Sequence, residues 1–122
     1  MDELTKAEEQ VLQVLWELEY AFVKEIIEHW PEPKPAYNTI STFVRHLEDK
    51  GYVWHEPHGK SYKYYPIVSK HDYTKSYMKG LVNRYFKGSY NQMVSFFAKE
   101  EELSIMELEE LIQELKKRKN HD

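Results

Sequence analysis

Three prolines fall within five residues at Pro31-Glu32-Pro33-Lys34-Pro35. Each removes a backbone donor and biases its predecessor away from the α region, so this stretch cannot be helical. It reads as a stiff loop, and the chain on either side must be organised around it. On the N-terminal side, residues 5–19 predict a helix. Thr5-Lys6-Ala7-Glu8 has capping-box spacing, and Ala7, Val11, Val14, Leu15 and Leu18 recur on one face. Tyr20-Ala21-Phe22 reads as a hinge that can be extended. Val23 to Trp30 predicts a second, shorter helix that stops at Pro31.

On the C-terminal side, residues 36–50 predict a third helix, closed by Gly51 as its C′ residue. Ile40, Phe43, Val44 and Leu47 form its apolar stripe. Ala36 is an unfavourable residue for the N-cap, which leaves the helix start without an evident side-chain partner. Two aromatic runs follow, Tyr52-Val53-Trp54-His55-Glu56 and Ser61-Tyr62-Lys63-Tyr64-Tyr65. They flank Pro57-His58-Gly59-Lys60 and predict a hairpin that Pro66 ends. Beyond it the pattern is helical again. Tyr73, Tyr77, Leu81 and Tyr85 recur every four residues, Gly88-Ser89 breaks the pattern, and Met93, Val94, Phe96 and Phe97 form a short hydrophobic segment. Ser104-Ile105-Met106-Glu107 is a second capping box with Leu103 and Leu108 as a staple, and Leu108, Leu111, Ile112 and Leu115 line the last helix. Lys116-Lys117-Arg118-Lys119 sits in its final turn, where positive charge suits the macrodipole.

The fold class is therefore mainly α with a small β hairpin. Residues 1–69 are expected to form a winged helix-turn-helix domain, and residues 70–122 a helical arm read as a dimerisation domain. The formal net charge of −4 argues against nucleic acid only until it is divided along the chain. Residues 1–20 hold six acids and one base, whereas residues 34–99 hold eleven Lys/Arg against four acids, a balance of +7. Phosphate binding needs local positive charge, not a basic total.

A helix entering the major groove needs short side chains near its N-terminus that can donate and accept. With Tyr37 at the start of the third helix, Asn38, Thr39, Ser41 and Thr42 meet that need. Arg45 and His46 reach phosphate or, for Arg45, a guanine. His58, Lys60 and Lys63 let the wing grip the adjacent backbone. The expected partner is double-stranded DNA, and no cofactor or metal is called for.

Three stretches resemble the penicillinase and methicillin-resistance repressor family (BlaI/MecI type). They are Leu4-Thr5-Lys6-Ala7-Glu8 with Val11 to Trp16, Tyr37-Asn38-Thr39-Ile40-Ser41-Thr42-Phe43-Val44-Arg45-His46-Leu47, and Lys50-Gly51-Tyr52-Val53. Copper-responsive relatives (CopY type) share this DNA-binding half. Phe97-Ala98-Lys99, Glu101-Glu102-Leu103 and the helix around Glu107 to Leu111 are similar to the family's C-terminal segment. The resemblance implies a homodimeric repressor on a palindromic operator, controlling β-lactam resistance or a related regulon. It further implies release when a membrane-bound sensor metalloprotease leads to cleavage of the arm. That cut falls at an Asn-Phe pair in the family; the matching position here reads Ser95-Phe96-Phe97, without the Asn. The copper relatives end in Cys-x-Cys pairs, and this chain has no cysteine.

Plainer readings stand beside these. The polar face of the third helix can be ordinary solvated surface, and the whole module can serve protein–protein contact instead of DNA. The tyrosine stripe can stack bases, although helical spacing suits a core or dimer seam at Tyr73, Tyr77, Leu81, Tyr85, Met93, Phe96, Phe97, Leu108, Leu111, Ile112 and Leu115. His55 and His58 make a poor zinc pair beside Pro57, and His29 and His71 read as ordinary side chains. Glu100-Glu101-Glu102 is a charge run. No Gly-rich phosphate loop, His-Glu-x-x-His or based nucleophile supports catalysis. The acidic N-terminus is no signal peptide, no apolar run approaches a membrane span, and the lack of cysteine fits a cytoplasmic setting.

Overall fold

The computed structural model describes residues 3–100 and 104–120, with the backbone alone for 119 and 120. Glu101, Glu102 and the expected staple residue Leu103 lie outside the described residues, as does the side chain of Lys119. The elements run α1 (Lys6–Leu18), β1 (Ala21–Phe22), α2 (Val23–Glu28), α3 (Tyr37–Asp49), β2 (Val53–His58), β3 (Ser61–Pro66), α4 (Lys70–Tyr85), α5 (Tyr90–Glu100) and α6 (Ile105–Asn120).

The signals at Thr5 and Gly51 act as their spacing predicts. Glu8 N–H donates to Thr5 Oγ1 at 3.2 Å, and Thr5 N–H donates to Glu8 Oε1 at 2.8 Å, closing the box that starts α1. At the end of α3, Gly51 takes φ +86°, a conformation open to glycine at little cost. Gly51 N–H then donates to Glu48 O at 3.0 Å and Tyr52 N–H to Leu47 O at 2.9 Å, the paired bonds of a Schellman stop. Ser104 Oγ accepts the Glu107 amide at 3.0 Å at the start of α6. The Glu107 carboxylate takes the Ser104 hydroxyl at 3.2 Å.

The sheet is larger than a hairpin. Ala21 and Phe22 pair with Tyr64 and Lys63, which gives three antiparallel strands in the order β1-β3-β2. The strands also run further than their aromatic cores suggest. Pro57 and His58 belong to β2, Pro66 to β3, and Gly59-Lys60 alone make the turn. Pro57 is tolerated because β2 is an edge strand that pairs only with β3. Gly59 at φ +63° fits the first position of a two-residue turn matched to strand twist.

The chain divides into two compact units, Met1–Thr74 and Lys75–Asp122. The core of the first joins Val11, Leu12 and Leu15 of α1 to Val23 and Ile26 of α2 and to Ile40, Val44 and Leu47 of α3. Ala21, Val53 and Tyr64 of the sheet close it. Trp16 Nε1 donates to Val68 O at 2.8 Å, tying α1 to the segment after β3. The first turn of α4 belongs here too. The Tyr73 ring lies 5.6 Å from that of Trp16 and 6.0 Å from that of Tyr52, and its hydroxyl bonds the Glu9 carboxylate. Tyr73, grouped by its spacing with the dimer-seam tyrosines, is thus a packing residue of the first unit. For the same reason the first compact unit extends into α4, as far as Thr74.

In the second unit Val82 is buried, and the Phe86 ring sits 5.7 Å from that of Phe96. Leu81, Met93 and Leu108 are half-buried. Much of the remaining apolar surface is open. Tyr85 is 71% exposed and Ile105 76%, and Tyr77, Phe96, Phe97, Leu111, Ile112 and Leu115 are also exposed.

Candidate nucleic-acid interface

The amphipathic pattern of α3 decides which of its side chains can meet a ligand. Ile40, Val44 and Leu47 are fully buried, with Phe43 packed against them. The opposite face must then point outward. Tyr37 is 50% exposed, Asn38, Thr39, Arg45 and His46 are exposed, and Ser41 and Thr42 are half-buried. Ala36 in extended conformation precedes the helix and offers no side-chain cap, so packing of the apolar stripe holds the first turn.

The outward side chains are organised along the helix itself. Thr42 Oγ1 donates to Asn38 O at 2.8 Å. Arg45 folds back over the same turn, with Nη2 3.3 Å from Thr42 Oγ1 and Nε 3.4 Å from Ser41 O. Those bonds are exposed and exchange readily with others. The result is a compact surface of hydroxyl, amide and guanidinium groups above a rigid apolar underside.

The turn before α3 is held by Lys34. Its Nζ donates to Glu28 O at 2.9 Å, the last carbonyl of α2, and also to Trp30 O just beyond the helix. A cation there satisfies orphan acceptors and opposes the negative end of the helix dipole.

At the other end of α3, Glu8 is only 2% exposed and meets Lys50 Nζ at 2.8 Å and 3.1 Å through its two oxygens. Burial pushes the Glu8 carboxyl up, but Lys50 and the Thr5 bonds outweigh it and hold the group below its ordinary value of 4.5. His46 lies beside the same carboxylate, Nδ1 to Oε2 at 3.9 Å. Its surroundings are therefore those of an ion-pair cluster between α1 and α3, apart from the Asn38–Thr42 surface.

Strand alternation sorts the wing. Val53, His55, Tyr62 and Tyr64 share the face toward the core, whereas Trp54, His58, Lys63 and Tyr65 share the other. Lys63, expected at the DNA backbone, is half-buried over the Tyr20 ring at 4.4 Å, with Phe22 at 5.8 Å. His58 bonds Glu56 at 2.8 Å and meets the Phe22 ring edge-on at 5.8 Å. Lys60, in the turn, is fully outside the sheet. His55 and His58 point to opposite faces and cannot share one metal. Among the described residues no cluster of three metal-ligating side chains occurs, and no helix is long and apolar enough to cross a membrane.

Two features were not anticipated. Trp54 stacks on Tyr65 at 4.7 Å, with Tyr20 against Tyr65 at 5.6 Å, making an aromatic outer face to the sheet. His55 Nδ1 lies 2.8 Å from both oxygens of Glu48, so a side chain of β2 is bonded to α3. Period-two alternation from buried Val53 carries the only hint of this in the sequence. The Tyr64 hydroxyl beneath is pushed up, first by burial and then by the Glu48 charge.

Known proteins resemble this chain over nearly its full length. The penicillinase repressor family model matches residues 4–117. The methicillin resistance regulatory protein MecI of Staphylococcus aureus (strain N315) is 33% identical over 110 residues, covering 89% of each chain. The penicillinase repressor of Bacillus licheniformis is 29% identical over 119 residues, covering 97% of this chain and 93% of its own. Among solved structures, the DNA-binding domain of the repressor BlaI superposes with a TM-score of 0.51 at 26% identity. It covers 58% of this chain and 88% of its own.

Proposed function

The chain belongs to the penicillinase repressor family, and from that premise we propose that it is a DNA-binding transcriptional repressor that acts as a homodimer on a two-fold operator. One observation carries the reading. The outward face of α3 presents Asn38, Thr39, Ser41, Thr42 and Arg45 above a fully buried Ile40-Val44-Leu47 stripe. Such a helix enters a major groove without deforming. Asn38 can bond an adenine edge, Thr methyls can contact thymine, and Arg45 can turn outward to guanine or phosphate. Lys60 at the wing tip supplies a backbone contact. Lys63 and His58, engaged on the outer sheet face, contribute less.

The test is fluorescence anisotropy with duplex DNA from upstream of the coding region, against a scrambled duplex, over a salt series. Binding should prefer the upstream duplex and weaken by roughly 0.9 log units per log salt for each phosphate neutralised. Absence of duplex binding at any salt would leave a protein-contact module as the alternative. Arg45→Ala is expected to weaken binding to both duplexes about tenfold without unfolding the chain. Thr42→Ala should instead narrow the gap between upstream and scrambled DNA by a factor corresponding to about 1–2 kcal/mol. Equal losses on both would contradict a base-reading role for Thr42.

Dimerisation is proposed to use the second unit. Tyr85, Phe97, Ile105, Met106, Leu111, Ile112 and Leu115 leave more apolar surface in water than a free arm sustains. Sedimentation should give a dimer at micromolar concentration; a clean monomer there would exclude it. Ser95, Phe96 and Phe97 lie in α5 with their side chains exposed, the region where family resemblance places the release cut. Cleavage there by a sensor metalloprotease pathway requires α5 to unwind locally, because proteases act on opened backbone.

A further inference from the structure

β1 reaches only to Lys63, so beyond the Glu56↔Lys63 pair the wing is a two-stranded ribbon of two residue pairs, Pro57↔Tyr62 and His58↔Ser61, closed by the Gly59-Lys60 turn. A ribbon of this kind is marginal by itself, and its direction is set by what grips its base. The grip here is specific. Glu48 projects from the last turns of α3, His55 from β2, and the imidazole Nδ1 lies 2.8 Å from each carboxylate oxygen. A carboxylate only accepts, so Nδ1 carries the proton of this bond. Tyr62, the next residue of the same face on β3, lays its ring 4.4 Å from that of His55, and Tyr64 follows at 5.8 Å. Both partners of the bond are about one-third exposed, so water competes with it only in part.

We infer that Glu48 and His55 are positioning residues that fix the angle of the wing to α3, so that Lys60 and the outward side chains of α3 engage one stretch of duplex together. This rests on the DNA-binding reading. The pair has a second consequence. Glu48 sits near the surface where phosphates would approach, and an unpartnered carboxylate there would repel them. Held by His55, both its oxygens lie against the imidazole Nδ1 and are turned toward the protein.

The experiment is a double-mutant cycle between the latch and the wing tip. Salt-dependent duplex binding is measured for the parent, His55→Ala, Lys60→Ala and the double variant. Lys60→Ala should lower the salt slope by about 0.9 for each phosphate that Lys60 neutralises. His55→Ala should lower it equally, and the double variant no further, because His55 acts through the placement of Lys60. His55→Asn, whose amide can still donate to Glu48, should recover most of the slope. An unchanged slope in His55→Ala, or reductions that add in the double variant, would overturn the inference. Amide hydrogen exchange in DNA-free protein supplies an independent arm. Amides between residues 58 and 62 should exchange faster in His55→Ala than in the parent or His55→Asn, with α1 unchanged. If the parent binds no duplex, the repressor reading fails alone, and unchanged exchange in the wing would then overturn the latch.

Discussion

Replacing Lys50 by alanine is expected to cost about 3 kcal/mol of folding stability and to lower the melting temperature by roughly 10–20 °C. The reason is the burial of Glu8. Its carboxylate is 2% exposed, and Lys50 Nζ at 2.8 Å is its close cationic partner. The bonds from the Thr5 amide would remain after the substitution, but they neutralise no charge. A buried carboxylate without a counter-ion must either stay ionised at high cost or take up a proton. Adding Glu8→Gln to Lys50→Ala should restore about half of the loss, because an amide oxygen can still accept from Thr5. The pH dependence has a definite sign. Glu8 is held below its ordinary 4.5, so its contribution is complete above that value and disappears as pH falls through the lower, folded value. The difference between parent and Lys50→Ala should therefore shrink on acidification below about pH 4.5. A denaturant midpoint shifted by less than the equivalent of about 0.5 kcal/mol would show that the pair is effectively solvated.

Ile40→Ala should cost a comparable amount, about 3 kcal/mol, and should also blunt DNA discrimination. Ile40 is 0% exposed in the core beneath α3. Truncation removes its transfer energy and leaves a cavity that Val44 and Leu47, rigid on the same helix, fill poorly. The position matters as much as the volume. Since Ala36 provides no cap, Ile40 is the first inward anchor of the helix that displays Asn38, Thr39, Ser41 and Thr42. Loosening it should raise amide exchange in residues 37–41 before the rest of the unit opens. Ala36→Ser, which restores a cap worth about 1 kcal/mol, should recover part of both effects. Denaturant unfolding and the two-duplex anisotropy assay check this together. A stability loss with unchanged exchange at the start of α3 would show that the backbone bonds alone hold it.

The Thr5–Glu8 box, the apolar stripes of α1 and α3, the proline loop and the Gly51 stop were all legible in the sequence. Each is an interaction over about one helical turn, or the intrinsic geometry of one residue. The outward set Tyr37, Asn38, Thr39, Arg45 and His46 follows from the same periodicity, since burying Ile40, Val44 and Leu47 leaves those positions no other direction. What escaped depends on distant partners. Two residues, Ala21 and Phe22, become a strand only because β3, far along the chain, lies alongside. Pro57 looks like a strand breaker until β2 proves to be an edge. Lys63 reads as a phosphate contact in sequence, and its position over Tyr20 and Phe22 exists only once the sheet forms. Tyr73 continues a helical stripe yet packs on Trp16 and Tyr52.

The division has one physical origin. Periodicity, caps and turn residues act through bonds between neighbours, so the chain alone determined where its helices run, which stripe of each goes inward, and which face of α3 is left outward. Charges and aromatic rings bind whatever the fold brings to them. Only tertiary structure could therefore decide that Glu8 would be paired with Lys50, Glu48 hydrogen-bonded to His55, and Lys63 held by aromatic faces, leaving Asn38, Thr39, Arg45 and Lys60 among the exposed polar groups.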